Sequence, residues 1–298
     1  MAPRVPRAIV EWADRLVKPA LGTPLRIRRP LIRLLARLTP MPKDVRVERA
    51  SRGGVPGELI VPAGADGPPR LVYLHGGAYV AGGPSVHRAL AARLAQGAGV
   101  SAFSADYRLA PEHPCPAAIE DAIAAYAAVC DGAPGAGVAM AGDSAGGGLA
   151  LATAIQAPDR GLALPAGLGL ISPWIDMTMS GPSCSENDGP DALLAAGPMR
   201  RAAVEYRAGR SAADPLCSPL FADLDGLPPM LIHAGSRELL LSDSQGLHER
   251  AVAAGVLAEL KVFDGLWHEF HVHAGMLAEA DEAVAEMGAW LAARLRAG

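Results

Sequence analysis

Gly142-Asp143-Ser144-Ala145-Gly146 stands between a short apolar run and an alanine-rich stretch. A glycine-rich turn of this kind can cradle a phosphate or aim a nucleophile. A phosphate loop needs a lysine after its last glycine, and here Leu149 and small residues follow. A dinucleotide fingerprint needs G-x-G-x-x-G, which "GDSAGGG" does not supply. What remains is G-x-S-x-G at a strand-to-helix turn. The flanking glycines let the backbone pass through a sharp bend, and the bend lifts the serine hydroxyl to the N-terminus of the next helix. An oxyanion formed there would meet free N–H groups and the positive end of a helix dipole.

A serine nucleophile also needs further donors, a base and a carboxylate. "LVYLHGGAYVAGG" follows another apolar run, so the N–H groups of Gly76 and Gly77, after His75, are candidate oxyanion donors beside that of Ala145. Two later loops, "HAGSRELLLSDS" and "FDGLWHEFHVH", supply the base and the acid. His268 is the preferred base because it sits in the loop, whereas His271 and His273 fall nearer the last helix. Those three histidines lack the HExxH spacing and have no cysteine or second acidic cluster beside them, so no metal is expected. Glu238 is preferred as the acid over Asp243, which sits where a helix starts and reads as a cap; Asp264 is too close in chain to His268. Tyr79, Trp174, Leu193, Leu194 and Trp267 are the candidate pocket residues.

The elements that must carry these residues follow from apolar patterning. Strands are expected over 45–49, 58–61, 71–74, 100–105, 138–140, 167–171, 230–233 and 260–263. Helices are expected near 86–96, 116–129, 145–156, 243–254 and 274–295. Buried strands alternating with helices imply an α/β fold with a mainly parallel sheet covered on both faces. The loops bearing Ser144, Glu238 and His268 then share the carboxyl edge of the sheet, where α/β sites form. Residues 1–40 read as helical, with Ile27, Leu31, Leu34, Leu35 and Leu38 in an amphipathic stripe and Pro30 suited to a first turn. Residues 176–215 interrupt the alternation and read as an insertion above the sheet edge.

Half of the 298 residues are hydrophobic, enough for a sizeable core. A net charge of −4 gives no general pull toward nucleic acid. The charge is uneven, however: residues 1–40 hold nine Arg or Lys and two acids, net +7, which leaves −11 for the rest. Such a start could approach an anionic membrane; the plainer reading is the solvated face of surface helices. Cys115, Cys130, Cys184 and Cys217 are scattered without a C-x-x-C pair, as free thiols of a reducing compartment would be. The first thirty residues have no signal-type apolar core, and no run of about eighteen apolar residues could span a bilayer. The expectation is a soluble cytoplasmic protein without stable membrane insertion.

Taken together, "YLHGGAYVAG", "DYRLAPEHPCPAAIEDA", "GDSAGGGLA", "SPWIDMT", the segment around "GSRELLLSDS" and "WHEF" resemble the bacterial hormone-sensitive-lipase family of α/β-hydrolase carboxylesterases, over roughly residues 70–275. The resemblance implies an α/β-hydrolase domain over 41–298 and a helical cap from 1–40, to which 176–215 would contribute. It implies Ser144 as nucleophile, His268 as base, an oxyanion hole at Gly76, Gly77 and Ala145, and no cofactor. The implied substrates are short- to medium-chain acyl esters, and a homodimer is possible. Amide or lactone hydrolysis, or silent binding of a small molecule, are the alternatives. Two positions depart from the usual pattern: Ala78 stands where many members have a third glycine, and Glu238 where many have aspartate. In "YRLAPEH", Arg108 and Glu112 are expected to pair and brace the loops.

Overall fold

The computed structural model describes residues 4–297; the ends of the expected cap and catalytic segments, residues 1–3 and 298, lie outside the described residues. The chain opens with helices α1 (Arg7–Leu21) and α2 (Leu25–Leu35), followed by strands β1 (Val45–Arg52) and β2 (Val55–Pro62). Alternation then sets in: β3 (Leu71–Leu74), α3 (Pro84–Ala98), β4 (Ala102–Ala105), α4 (Ala117–Gly132), β5 (Ala139–Asp143), α5 (Ala145–Gln156) and β6 (Leu168–Ile171). The expected insertion holds α6 (Ser183–Glu186) and α7 (Ala196–Arg207). The chain closes with β7 (Met230–Gly235), α8 (Leu241–Ala253), β8 (Ala258–Phe263) and α9 (Ala278–Ala297).

The eight strands form one sheet in the order β1-β2-β4-β3-β5-β6-β7-β8. Pairs β1–β2 and β2–β4 are antiparallel, and every pair from β4 to β8 is parallel. Strand residues alternate between two cores, as the pleat demands. Val72, Leu74, Met140 and Ile232 pack with α4, α5 and α8 on one face, while Leu71, Tyr73, Ala141 and Leu231 pack with α3 and α9 on the other. The two faces explain why these strands read as unbroken apolar runs rather than as alternating ones.

Three local expectations are corrected. Pro30 lies inside α2, not in its first turn, because Pro24 already starts the helix and Leu25 is its first residue. The last helix begins at Ala278 rather than near 274, because Phe270–His273 closes as a separate tight 3-10 turn. Arg108 does not pair with Glu112: it binds Asp121 on α4 at 2.7 Å, and Glu112 binds Arg29 of α2 at 2.7 Å. The loop residue Glu112 therefore anchors an N-terminal helix rather than its own loop.

Where α3 meets α9, Gly97 faces Gly288. A Cβ on Gly288 would lie 2.8 Å from the Gly97 Cα, so the two backbones meet with no room for a side chain. Gly288→Val should force the helices apart and cost about 1–3 kcal/mol. A urea denaturation midpoint clearly below wild type, with an unchanged slope, is the expected result; an unmoved midpoint would refute this account of the contact.

Candidate active site

Ser144 joins β5 directly to α5 and is held at φ 48° and ψ −118°, a region that a non-glycine residue occupies only under constraint. The constraint is visible on both sides. A Cβ on Gly146 would collide with the Leu74 carbonyl oxygen, and one on Gly142 would collide with the Gly146 backbone. The Ser144 N–H donates to the Ile171 carbonyl at 2.8 Å, and its own carbonyl accepts from the Trp174 N–H at 2.9 Å. The serine is thus fixed by its backbone, and its hydroxyl makes no hydrogen bond among the described residues.

The loop after β3 lies beside it. His75 is buried and stacked on Tyr107 with ring centres 4.2 Å apart, and its Nδ1 lies 2.8 Å from the Gly76 carbonyl oxygen and 3.2 Å from the Gly83 nitrogen. Burial pulls its pKa down to about 3, so it is a neutral structural ring. The Gly76 N–H donates to Asp143 Oδ2 at 2.8 Å. That bond removes Gly76 from the expected set of oxyanion donors. The next two N–H groups, of Gly77 and Ala78, have no hydrogen-bond partner among the described residues. Gly77 (φ 120°) and Ala78 (φ 56°) have positive φ, and both line the same cavity as Ser144. Ala145 is the first residue of α5, where the helix leaves its N–H unpaired.

Glu238 and His268 follow β7 and β8 and are both buried. His268 Nδ1 lies 3.8 Å from Glu238 Oε2, which also accepts from the Ser172 hydroxyl at 2.6 Å and the Gly235 N–H at 3.2 Å. Burial pushes Glu238 up to about 8, against the pull of those two bonds, and burial draws His268 down to about 3. Asp243 is occupied elsewhere. Its Oδ2 accepts from the N–H groups of Ile175 and Asp176, both at 2.9 Å, which ties the start of α8 to the loop after β6. The other two histidines have other partners: His271 meets His233 at 3.3 Å, and His273, on the wall of the cavity that Ser144 lines, meets Asp14 of α1 at 2.7 Å.

Asp143 and Glu269 are functional neighbours that sequence reasoning passed over. Asp143 accepts from the Tyr73 hydroxyl and the Gly76 N–H and faces His87 Nε2 at 3.2 Å. Glu269 sits in the left-handed region at φ 52°, and its Oε1 lies 3.6 Å from His268 Nε2. A Cβ on Gly76 would collide with both carboxyl groups. Two buried carboxyls so close cannot both ionise. Burial and the Asp143 charge push Glu269 well above the carboxylate range, so it carries the proton. Burial disfavours the Asp143 charge, but His87 and the hydrogen bonds from Glu269 and Tyr73 more than offset it. His87, Asp143 and Glu269 each place one ligand atom within 4.8 Å of the others, the spacing a metal ion could use. Asp143 already takes three donors, however, and one shared proton meets the remaining need. The clue in sequence is position alone: Asp143 precedes Ser144 and Glu269 follows His268.

The cavity over Ser144 measures about 420 Å³. His268, Gly77 and Ala78 line its floor, with residues of α1 and α2 and Leu193, Leu194 and Met199 around it. Tyr79, Trp174 and Trp267 do not line it, a correction with a packing cause. Tyr79 stacks on Tyr206 with centres 3.8 Å apart, and the Trp174 Nε1–H donates to the Asp176 carbonyl at 3.2 Å. The Trp267 Nε1–H donates to Asp14 at 2.7 Å, which docks α1 beside the loop of His268. Among the described residues no helix is long and apolar enough to cross a membrane.

A family model for the alpha/beta hydrolase fold matches residues 71–272. An acetyl-hydrolase of Streptomyces hygroscopicus is 41% identical over 235 residues, 78% of each chain. An esterase of Acinetobacter venetianus is 35% identical over 284 residues, 93% of each chain. Among solved structures, an esterase from the bacterial hormone-sensitive lipase family superposes with a TM-score of 0.92 at 37% identity, covering 98% of this chain and 99% of that one. A hormone-sensitive lipase from a metagenome library gives 0.94 at 38% identity, with the same coverage. The chain belongs to the α/β-hydrolase fold family and, within it, to the bacterial hormone-sensitive-lipase family of carboxylic ester hydrolases.

Proposed function

We propose that the chain is a serine carboxylesterase acting on short- to medium-chain acyl esters through an acyl-enzyme. The observation that carries this reading is the cavity of about 420 Å³ that Ser144 and His268 share with the unpaired N–H groups of Gly77 and Ala78. In the proposed reaction His268 Nε2 takes the proton of the Ser144 hydroxyl as Oγ attacks the ester carbonyl. The oxyanion is held by the N–H groups of Gly77, Ala78 and Ala145, while the Gly76 N–H stays on Asp143 and holds the loop in place. His268 protonates the departing alcohol, and water then repeats the sequence on the acyl-enzyme. Glu238 keeps the proton on Nδ1 and balances the imidazolium. Its 3.8 Å separation from Nδ1 shortens to a hydrogen bond when that charge forms.

Residues 1–40 serve as the cap over a catalytic domain at 41–298, with 176–215 adding Leu193, Leu194 and Met199 to the wall. In support, α1 is tied to the body near the acid loop. Arg237 binds Glu11 at 2.8 Å, and Lys18 donates to the Asp191 carbonyl at 2.8 Å. A cavity of this volume suits a short acyl chain better than a long one.

Hydrolysis of p-nitrophenyl esters from acetyl to palmitoyl tests the reading. Rates should peak among the short to medium chains, and Ser144→Ala should lose roughly 10⁴-fold or more in kcat. Near-normal rates in that variant would refute the nucleophile. The pH profile tests the acid. The working pair needs Glu238 ionised and His268 neutral. Because burial raises Glu238 to about 8 and lowers His268 to about 3, kcat/KM should climb with pH toward the ionisation of Glu238. Glu238→Gln should lower activity and abolish that limb; an unchanged limb would take the acid role from Glu238.

A further inference from the structure

We propose that the outer face of α1 and α2 is a docking surface for an anionic phospholipid layer, set around the mouth of the cavity that holds Ser144. Seven of the nine basic residues in 1–40 fall into two sets; Arg7 and Arg28 are half-buried and belong to neither. The inner set holds the helices to the body: Arg15 donates to the Pro190 carbonyl at 2.9 Å, Lys18 to the Asp191 carbonyl at 2.8 Å, and Arg29 to Glu112 at 2.8 Å. The outer set, Arg4, Arg26, Arg33 and Arg37, is exposed and makes no ion pair among the described residues.

The apolar residues divide the same way. Val10 is buried against the body, while Ile9, Trp12 and Leu16, at helical spacing, point to solvent, Trp12 being 62% exposed. On α2 and the turn that follows it, Ile27, Leu34 and Leu38 form a second stripe; Leu34 is 58% and Leu38 75% exposed. Each of these three is immediately preceded by an unpaired arginine, Arg26, Arg33 or Arg37. An apolar stripe with a guanidinium stripe alongside is the pattern of a helix lying in a lipid headgroup region, where acyl chains cover one stripe and phosphates meet the other. Trp12, with an apolar body and one N–H, suits the same boundary.

Charge selects this occupant over a second copy of the chain. Residues 1–40 are net +7 and the remainder −11, so two copies joined through this face would oppose their own basic stripes. An anionic surface attracts this face and repels the rest of the molecule, which fixes the orientation. Ile9 and Leu38 belong both to the exposed rim and to the cavity wall. A docked molecule therefore presents its cavity mouth to the lipid layer. The contact is peripheral and goes beyond the esterase reading, because binding is measured without turnover.

Flotation of the full chain with vesicles of phosphatidylcholine alone, and of phosphatidylcholine mixed with phosphatidylglycerol, tests this. At low salt the protein should float with the mixed vesicles at least about tenfold more strongly, since each arginine near such a surface adds about fivefold, and added salt should release it. Arg26→Glu combined with Arg37→Glu should abolish the difference, and Trp12→Ser should weaken flotation. All should retain hydrolysis of a soluble short-chain ester in the absence of vesicles. Equal flotation with both vesicle types, wild-type binding indifferent to salt, or a solution dimer that Trp12→Ser dissolves would each overturn the proposal.

Discussion

The contact between Gly146 at the start of α5 and the Leu74 carbonyl at the end of β3 is the constraint from which the site is built. It is a backbone-to-backbone approach that no side chain permits. Because β3 and β5 are neighbours in the sheet, it brings the loop 75–80 and the turn of Ser144 to the same place. The strained backbone of Ser144 and the positive φ of Ala78 are tolerated because sheet pairing and two buried cores determine their surroundings more strongly than local preference does. Strain at these two residues points the serine hydroxyl and the loop N–H groups into one cavity.

Electrostatics then joins the segments that the glycines bring near. Asp143, just before Ser144, binds the Tyr73 hydroxyl, the Gly76 N–H and His87, and shares a proton with Glu269 next to His268. One carboxylate thus couples β3, α3, the loop 75–80 and the loop of His268. Its partner stays neutral, so the site takes on one buried charge rather than two. Ser172 plays the matching part on the acid side. Its hydroxyl donates to Glu238 at 2.6 Å and accepts from the Glu269 N–H at 3.3 Å. Glu238 and the residue after His268 are therefore linked by one side chain.

The sheet is legible in the sequence because its strands are buried on both faces and punctuated by glycine and proline, and the same pattern puts Ser144, Glu238 and His268 on loops after β5, β7 and β8. What could not be read depends on distances across the chain. Gly76 looked like an oxyanion donor until Asp143, sixty-seven positions away, was seen to hold its N–H. Arg108 and Glu112 looked like partners by proximity in sequence, whereas the helices supplied Asp121 and Arg29 at better geometry. Tyr79, Trp174 and Trp267 looked like pocket walls because large aromatics near a site motif are ambiguous between lining and core. Their stacking and N–H partners resolve that ambiguity toward core. Leu193 and Leu194 reach the cavity, where the N–H groups of both donate to Asp191 Oδ1.

The N-terminal helices carry the clearest division of labour by face. A surface helix that served only to cover the cavity would need one apolar face, and its remaining surface would be polar. Here α1 and α2 use inner arginine and lysine side chains to grip backbone carbonyls, and they leave apolar residues outside as well. Polar anchoring of the inner face frees apolar residues for the outer one. It also explains why the basic charge of residues 1–40 coexists with an acidic body: the inner cations answer carbonyl and carboxylate groups of the body, and the outer cations make no ion pair among the described residues, although the Arg33 charge still acts on Asp106. Helices α1 and α2 are thereby held to the body through their polar contacts, with exposed arginines and an apolar rim beside the cavity.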